Sequence, residues 1–209
     1  MDNKKQPLFV IICGGSGSGK TTFTNLVLKN INNKFTSQLI SLDNFYIPVP
    51  DEKLPGYNFD SPNALNWDMI VNAINDLMNG DSTKIPNYDF TTHNYTSYNT
   101  VNPTDLIVIE GIFSLQNEML KKLANLTVYL DVPDDERFIR RLSRDIKERN
   151  KPAQENIDQW RNTVIQAHYL YVDPFKKQVD MIFPWTKISE TAIDACAGAI
   201  TKLLEKNIK

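Results

Sequence analysis

The stretch Gly14-Gly15-Ser16-Gly17-Ser18-Gly19-Lys20-Thr21 constrains this chain more than any other. It fits G-x-x-x-x-G-K-[ST], the signature of a phosphate-binding loop. Its flanks agree. Leu8 to Cys13 is a short apolar run suited to a strand buried on both faces. Beyond the loop, Phe23, Leu26 and Val27 stand at i, i+3, i+4 spacing, so Thr22 to Lys29 can continue as a helix. Glycines let the backbone wrap a polyphosphate without Cβ clashes. The loop amides and the helix N-terminus supply positive potential. The pattern assigns Gly14 to Thr22 to a nucleoside triphosphate, Lys20 to its β- and γ-phosphates, and the Thr21 hydroxyl to Mg²⁺.

Charge and cysteine content narrow the function class. Lys and Arg total 23 against 25 Asp and Glu, a balance that disfavours a broad nucleic-acid or membrane surface. Cys13 and Cys196 lie far apart and form no metal spacing, which reads as two buried thiols in a reducing compartment. Met1 to Pro7 is polar, and the apolar run after it is too short for a membrane span or a signal-peptide core. The expectation is a cytoplasmic protein with no membrane partner.

Strand-like and helix-like segments alternate, which predicts an α/β domain with a mostly parallel sheet flanked by helices. Strands are expected near 8–13, 38–42, 105–109, 126–131 and 180–183. Helices are expected near 20–30, 66–79, 116–123, 134–148, 155–170 and 189–206, all within a single domain spanning 1–209. Two stretches interrupt this. Residues 46–65 carry Pro48, Pro50, Pro55, Gly56 and Pro62, a long loop of the kind that serves function. Residues 84–101 alternate aromatic and polar side chains, which suits a projecting β-hairpin bearing specificity.

Two carboxylates end strand-like runs. Asp43 closes Gln38 to Leu42, where it could accept a proton from an attacking hydroxyl or help hold the Mg²⁺ shell. Glu110 ends Leu106 to Ile109, as a carboxylate delivered to the metal or its waters. Alone, an Asp in Asp43's place is more often a turn residue, and Glu110 reads about equally as a capping or turn carboxylate; the phosphate loop upstream favours the chemical reading of both. In 134–149, Phe138, Ile139, Leu142 and Ile146 form the expected core stripe, while Arg137, Arg141 and Arg144 share one flank. Arg149-Asn150-Lys151-Pro152 then breaks the helix. Arginines aligned ahead of a basic segment suit a lid closing over phosphates; a solvated face paired with Glu136, Asp145 and Glu148 is the plainer alternative. The chain has no Asn-Lys-x-Asp motif, no Asp-x-x-Gly switch and no LSGGQ-like segment, so a small kinase remains.

The ordered motifs carry a resemblance. Besides the loop at 14–22, they are Asp-Asn-Phe-Tyr (43–46), Asn-Phe-Asp-Ser-Pro-Asn-Ala-Leu (58–65), Ile-Pro-Asn-Tyr-Asp-Phe-Thr-Thr-His (85–93), Ile-Glu-Gly-Ile (109–112) and Arg-Arg-Leu-Ser-Arg-Asp-Ile-Lys-Glu-Arg (140–149). Together they resemble the uridine kinase (uridine–cytidine kinase) family from the phosphate loop to about residue 184. The resemblance implies a P-loop kinase fold with a β-hairpin insertion at about 84–101 and an Arg-rich lid at about 144–158. It implies phosphoryl transfer from ATP or GTP to the 5′-hydroxyl of uridine, and of cytidine. Asp43 matches the general base and Asp60 the ribose reader. Tyr88 and His93 match groups at the pyrimidine base, and Phe90 an aromatic wall. Arg141 and Gln159 match substrate-side contacts, Arg144 and Arg149 lid arginines at the phosphates, and Glu110 the acid at the metal. A homotetramer is implied as well.

The chain departs from the family in places. Arg149-Asn150-Lys151 stands where the family has Arg-Gly-Arg, so Lys151 keeps the charge of a base contact but loses bidentate donation. Ser61 replaces a His, and Trp185-Thr186-Lys187 replaces a Gly-containing loop near the donor base. Trp185 reads either as a donor-base stacker or as a core residue. The alternatives to the uridine reading are a kinase of another small alcohol in the phosphoribulokinase/uridine kinase group, or a nucleotide sensor without turnover.

Overall fold

The computed structural model describes residues 6–31 and 34–207. Residues 1–5, 32–33 and 208–209, included in the expected domain, lie outside the described residues. The chain runs β1 (Leu8–Gly14), α1 (Lys20–Asn30), β2 (Ser37–Ser41), α2 (Trp67–Met78), β3 (Thr83–Asp89), β4 (Asn94–Val101), β5 (Leu106–Glu110), α3 (Glu118–Leu123) and β6 (Leu126–Asp131). It continues through α4 (Asp134–Arg149), α5 (Ala153–Gln159), a π-helical turn at Trp160–Val164, α6 (Ile165–Tyr171), β7 (Met181–Pro184) and α7 (Glu190–Asn207).

Five strands form a parallel sheet in the order β2-β5-β1-β6-β7. β1 is central and wholly buried, as its unbroken apolar run requires. The two-residue period of a strand divides it between two cores. Phe9, Ile11 and Cys13 join α2 residues Ile70, Ala73, Ile74 and Leu77 on one face. Leu8, Val10 and Ile12 join α1 and α7 residues Phe23, Val27, Ile193, Cys196 and Ile200 on the other. Each such aliphatic or aromatic side chain contributes about 1.5–3 kcal/mol by leaving water. Both cysteines are buried free thiols.

Register sets the position of the site. Ile12 of β1 and Ser41 of β2 both pair with Glu110 of β5. The phosphate loop, Asp43 and Glu110 therefore leave the sheet at the same edge, outside the carboxyl ends of the strands. β3 and β4 form the expected hairpin as a separate antiparallel pair. The Pro-rich loop is closed at its base by a Tyr46–Leu65 bridge and by Ile47 N–H donating to the Ala64 carbonyl at 2.8 Å. Its Val49 N–H reaches the His93 carbonyl at 3.1 Å, which ties the loop to the hairpin turn.

Helix α4 corrects the expected core stripe. Its buried residues are Arg137, Arg141 and Asp145, at i, i+4, i+8 spacing. Ile139 and Ile146 are exposed, at 59% and 43%. Phe138 packs on Trp160 with ring centroids 5.3 Å apart. The inward face meets the phosphate loop rather than the apolar core, and loop carbonyls satisfy arginine donors that an apolar surface would leave unpaired. The expected helix at 155–170 is split by the π-turn, in which Ile165 N–H bonds back to the Trp160 carbonyl.

Candidate active site

A cavity of about 740 Å³ opens at this edge of the sheet. One part of its lining is the phosphate loop and the start of α1, with Ser16, Gly17, Gly19, Lys20, Thr21 and Thr22. Another is aromatic, with Tyr46, Phe59, Phe90 and His93. Asp43, Asp60, Glu110, Arg141, Arg144, Arg149, Lys151 and Gln159 also line it. The structure thus gathers most of the sequence-predicted site residues into one space. Gly14, Gly15 and Ser18 lie behind this lining; the first two offer carbonyls to Lys20 Nζ at 3.1 and 3.3 Å.

The loop is built for an anion. Gly19 precedes α1 at φ 81 with no side-chain cap, and the first turn carries no acidic residue. The leading amides of α1 are therefore left for a ligand's oxygens. Burial lowers the Lys20 pKa, while Glu110 and Asp43 oppose that shift. Glu110 is 3% exposed and accepts from Thr21 Oγ1 at 3.0 Å. Burial raises its pKa, Lys20 lowers it, and the Asp43 charge raises it further. Among the described residues, no three His, Cys, Asp or Glu side chains form a metal cage. The Thr21–Glu110 pair fits Mg²⁺ instead, which binds through few protein groups plus phosphate oxygens and water.

Asp43 sits in the 3₁₀ turn Leu42–Phe45 directly after β2. Its N–H is held by Ser41 Oγ at 3.3 Å. Its charge acts on both Lys20 and Tyr46, which puts it between the phosphate loop and the aromatic wall.

Asp145 gathers three arginines of α4. Arg144 Nη2 lies 2.7 Å from its Oδ1, Arg149 Nη1 3.6 Å from the same oxygen, and Arg141 Nε 3.5 Å from Oδ2. One carboxylate facing three guanidiniums leaves positive charge for a phosphoryl group. Burial lowers the Arg149 pKa, and the neighbouring Arg144 charge lowers it further. The Arg149 guanidinium also lies 4.0 Å from the Phe90 ring centroid, joining the end of α4 to the hairpin.

Arg141 and Gln159 bridge the cavity. Arg141 donates to Ser16 Oγ at 2.7 Å and to Gln159 Oε1 at 2.9 Å. Gln159 Nε2 donates to Asp60 Oδ2 at 3.2 Å. Lys151 Nζ also donates to Gln159 Oε1, at 2.6 Å, so it joins this bridge. Its cationic neighbours fix the Gln159 amide with its oxygen toward Arg141 and Lys151 and its nitrogen toward Asp60.

The aromatic wall is continuous. The His93 and Phe59 rings stack at 4.8 Å, and Tyr46 meets Phe90 edge-on at 5.7 Å. Burial lowers the His93 pKa and Lys151 adds to this, which keeps the imidazole neutral near pH 7. Tyr88, expected at the base, stands behind His93 in this wall. It is 6% exposed, lies outside the lining, and brings its hydroxyl 3.4 Å from His93 Nδ1. A register shift between Asn87 and Tyr88 re-aims the strand just before it. Trp185 is a core residue, 2% exposed and edge-on to Phe23 at 4.8 Å. The sequence reading missed Tyr46 and Phe59 as wall residues, and Asp145 as the arginine anchor. The i, i+4 spacing of Arg141, Asp145 and Arg149 was the available signal for the last.

A parallel sheet with a glycine-rich phosphate loop and a facing acceptor pocket defines a P-loop kinase fold. The chain matches the Phosphoribulokinase / Uridine kinase family over residues 9–192, and it belongs to that family. It is 35% identical to the uridine kinase of Lactobacillus helveticus, across 99% of this chain and 100% of that one. It is 38% identical to uridine-cytidine kinase A of Dictyostelium discoideum, across 98% of this chain and 41% of that longer protein. Its fold is similar to phosphoribulokinase from Rhodobacter spheroides, with a TM-score of 0.62 at 16% identity, covering 87% of this chain and 71% of that one.

Proposed function

We propose that this protein transfers the terminal phosphoryl group of ATP or GTP to the 5′-hydroxyl of uridine, and of cytidine, giving the nucleoside monophosphate. The observation that carries this reading is the shared cavity: an uncapped phosphate loop faces a buried carboxylate, Asp60, set in an aromatic wall. A nucleoside has the matching parts, a flat base for the wall and vicinal hydroxyls for the carboxylate. The relatives named uridine kinase support the choice of nucleoside.

In this reading Asp43 accepts the proton of the 5′-hydroxyl as it attacks. Lys20, Arg144 and Arg149 stabilise charge on the transferring group. Thr21 and Glu110 would hold Mg²⁺ and its waters, and the bound metal neutralises charge on the phosphate oxygens. Closure of 144–158 over the cavity excludes water, a rival acceptor. The same reading includes a cytoplasmic location and a homotetrameric assembly.

The test is a phosphoryl-transfer assay over a panel of uridine, cytidine, thymidine and purine nucleosides with ATP and GTP, in Mg²⁺ and after chelation. Nucleoside 5′-monophosphate from uridine, lost on chelation, is expected. No ADP or GDP with any nucleoside would overturn the reading in favour of a sensor.

A further inference from the structure

We infer that Thr163 is a positioning residue for sugar recognition, its hydroxyl holding the Asp60 carboxylate in the orientation that meets a ribose. The inference rests on the reading of Asp60 as the ribose contact.

Thr163 lies in the π-helical turn Trp160–Val164, between α5 and α6. Its Oγ1 is 2.6 Å from Asp60 Oδ2 and 3.0 Å from the Gln159 carbonyl. A hydroxyl has one proton to give. The ionised carboxylate is both the nearer and the stronger acceptor, so the proton goes to Asp60 and not to the backbone four residues earlier. Such π-turns recur at functional sites. This one sets Thr163 and Gln159 side by side, both donating to the same oxygen.

The consequence lies in the geometry of Asp60. The residue is 5% exposed and lines the cavity. Its backbone is already fixed, since its N–H donates to Asn58 Oδ1 at 2.9 Å. With Oδ2 engaged by two protein donors, the carboxylate plane is set and Oδ1 is the oxygen left for vicinal hydroxyls. The two donors differ in what else they hold. Gln159 also accepts from Arg141 and Lys151, so its grip on Asp60 follows the lid. Thr163 is outside the cavity lining and has no lid partner among its hydrogen bonds, so it acts on the sugar only through Asp60. A site held this way is ordered before substrate arrives.

The experiment compares wild type with Thr163→Val, which removes the hydroxyl at nearly constant shape, Thr163→Ala, which does so without a second methyl, and Thr163→Ser, which keeps it. Each full-length protein is assayed with uridine and 2′-deoxyuridine, and its melting temperature is recorded. Loss of one hydrogen bond to a charged group should raise KM for uridine about tenfold in Val and Ala. The uridine to 2′-deoxyuridine ratio of kcat/KM should fall by about threefold or more, with kcat within about twofold of wild type. Ser should restore both quantities. Asp60→Ala serves as the reference. If Asp60→Ala removes the discrimination while Val and Ala keep both KM and the ratio, Thr163 is a packing residue and the inference is wrong. A lowered melting temperature with an unchanged ratio likewise makes Thr163 a packing residue. If Asp60→Ala itself leaves the ratio intact, the ribose reading fails and this inference fails with it.

Discussion

The backbone carbonyl of Arg137 fills the space that a Cβ at Gly17 would need. Gly17 also sits at φ 80, where L side chains are strained. The Arg137 side chain is wholly buried and donates to the carbonyls of Val132 and Ser16 and to Asp134. Helix α4 and the phosphate loop are thereby locked to each other. Gly17→Ala should cost about 2 kcal/mol or more from backbone strain and collision, because neither partner is a flexible side-chain end. It should also weaken binding of a fluorescent ATP analogue. Chemical denaturation and titration of the same sample check the two effects.

Asp43→Asn keeps the shape of the side chain and removes its capacity to take a proton. We expect kcat to fall about 10²-fold or more, with little change in uridine affinity. Near-normal kcat would take Asp43 out of the mechanism.

Arg144 is partly exposed and contacts Asp145, which also faces Arg141 and Arg149. Losing one of three guanidiniums should leave the anchor satisfied. Arg144→Ala should therefore lower kcat by about tenfold or more while the melting temperature barely moves. A solvated pair would instead leave turnover intact.

His168 gives the fold a pH dependence. Burial and the Arg137 charge lower its pKa from 6.5 to about 4, against the raising influence of Asp134 and Asp173. The unfolded chain takes up this proton as pH falls below about 6.5, and the folded chain does not until about 4. The stability tied to a neutral His168 is complete above pH 6.5 and is lost as pH falls through that window. Denaturation midpoints across the window should drop toward acid, and His168→Gln should flatten that slope. An unchanged slope in the variant would assign the acid sensitivity to other groups.

How far the sequence led depended on how local each cause was. The phosphate loop was legible because its glycines, lysine and threonine act within eight residues of chain. The strand-end acids followed from apolar runs that stop at a carboxylate. The face of α4 was not legible: a helical wheel gives the spacing of Arg137, Arg141 and Asp145 but not which surface covers them. The Thr163–Asp60 contact was hidden for another reason. Thr163 and Asp60 are 103 residues apart, and only the closed loop at 46–65 and the π-turn bring them together. Tyr88 and Phe90 part company at the hairpin turn: Tyr88 is buried in β3 against His93, while Phe90, just past the strand end, lines the cavity.

The most direct test is the ratio of kcat/KM for uridine to that for 2′-deoxyuridine in the wild-type protein. An ionised Asp60 can only accept hydrogen bonds, so a sugar lacking one hydroxyl leaves this buried carboxylate undersatisfied. One charge-assisted hydrogen bond is worth about 1.5–3 kcal/mol, so uridine should be favoured by roughly ten- to a hundredfold. Equal use of the two nucleosides would contradict both the assignment of Asp60 and the account of this cavity as a ribonucleoside kinase site.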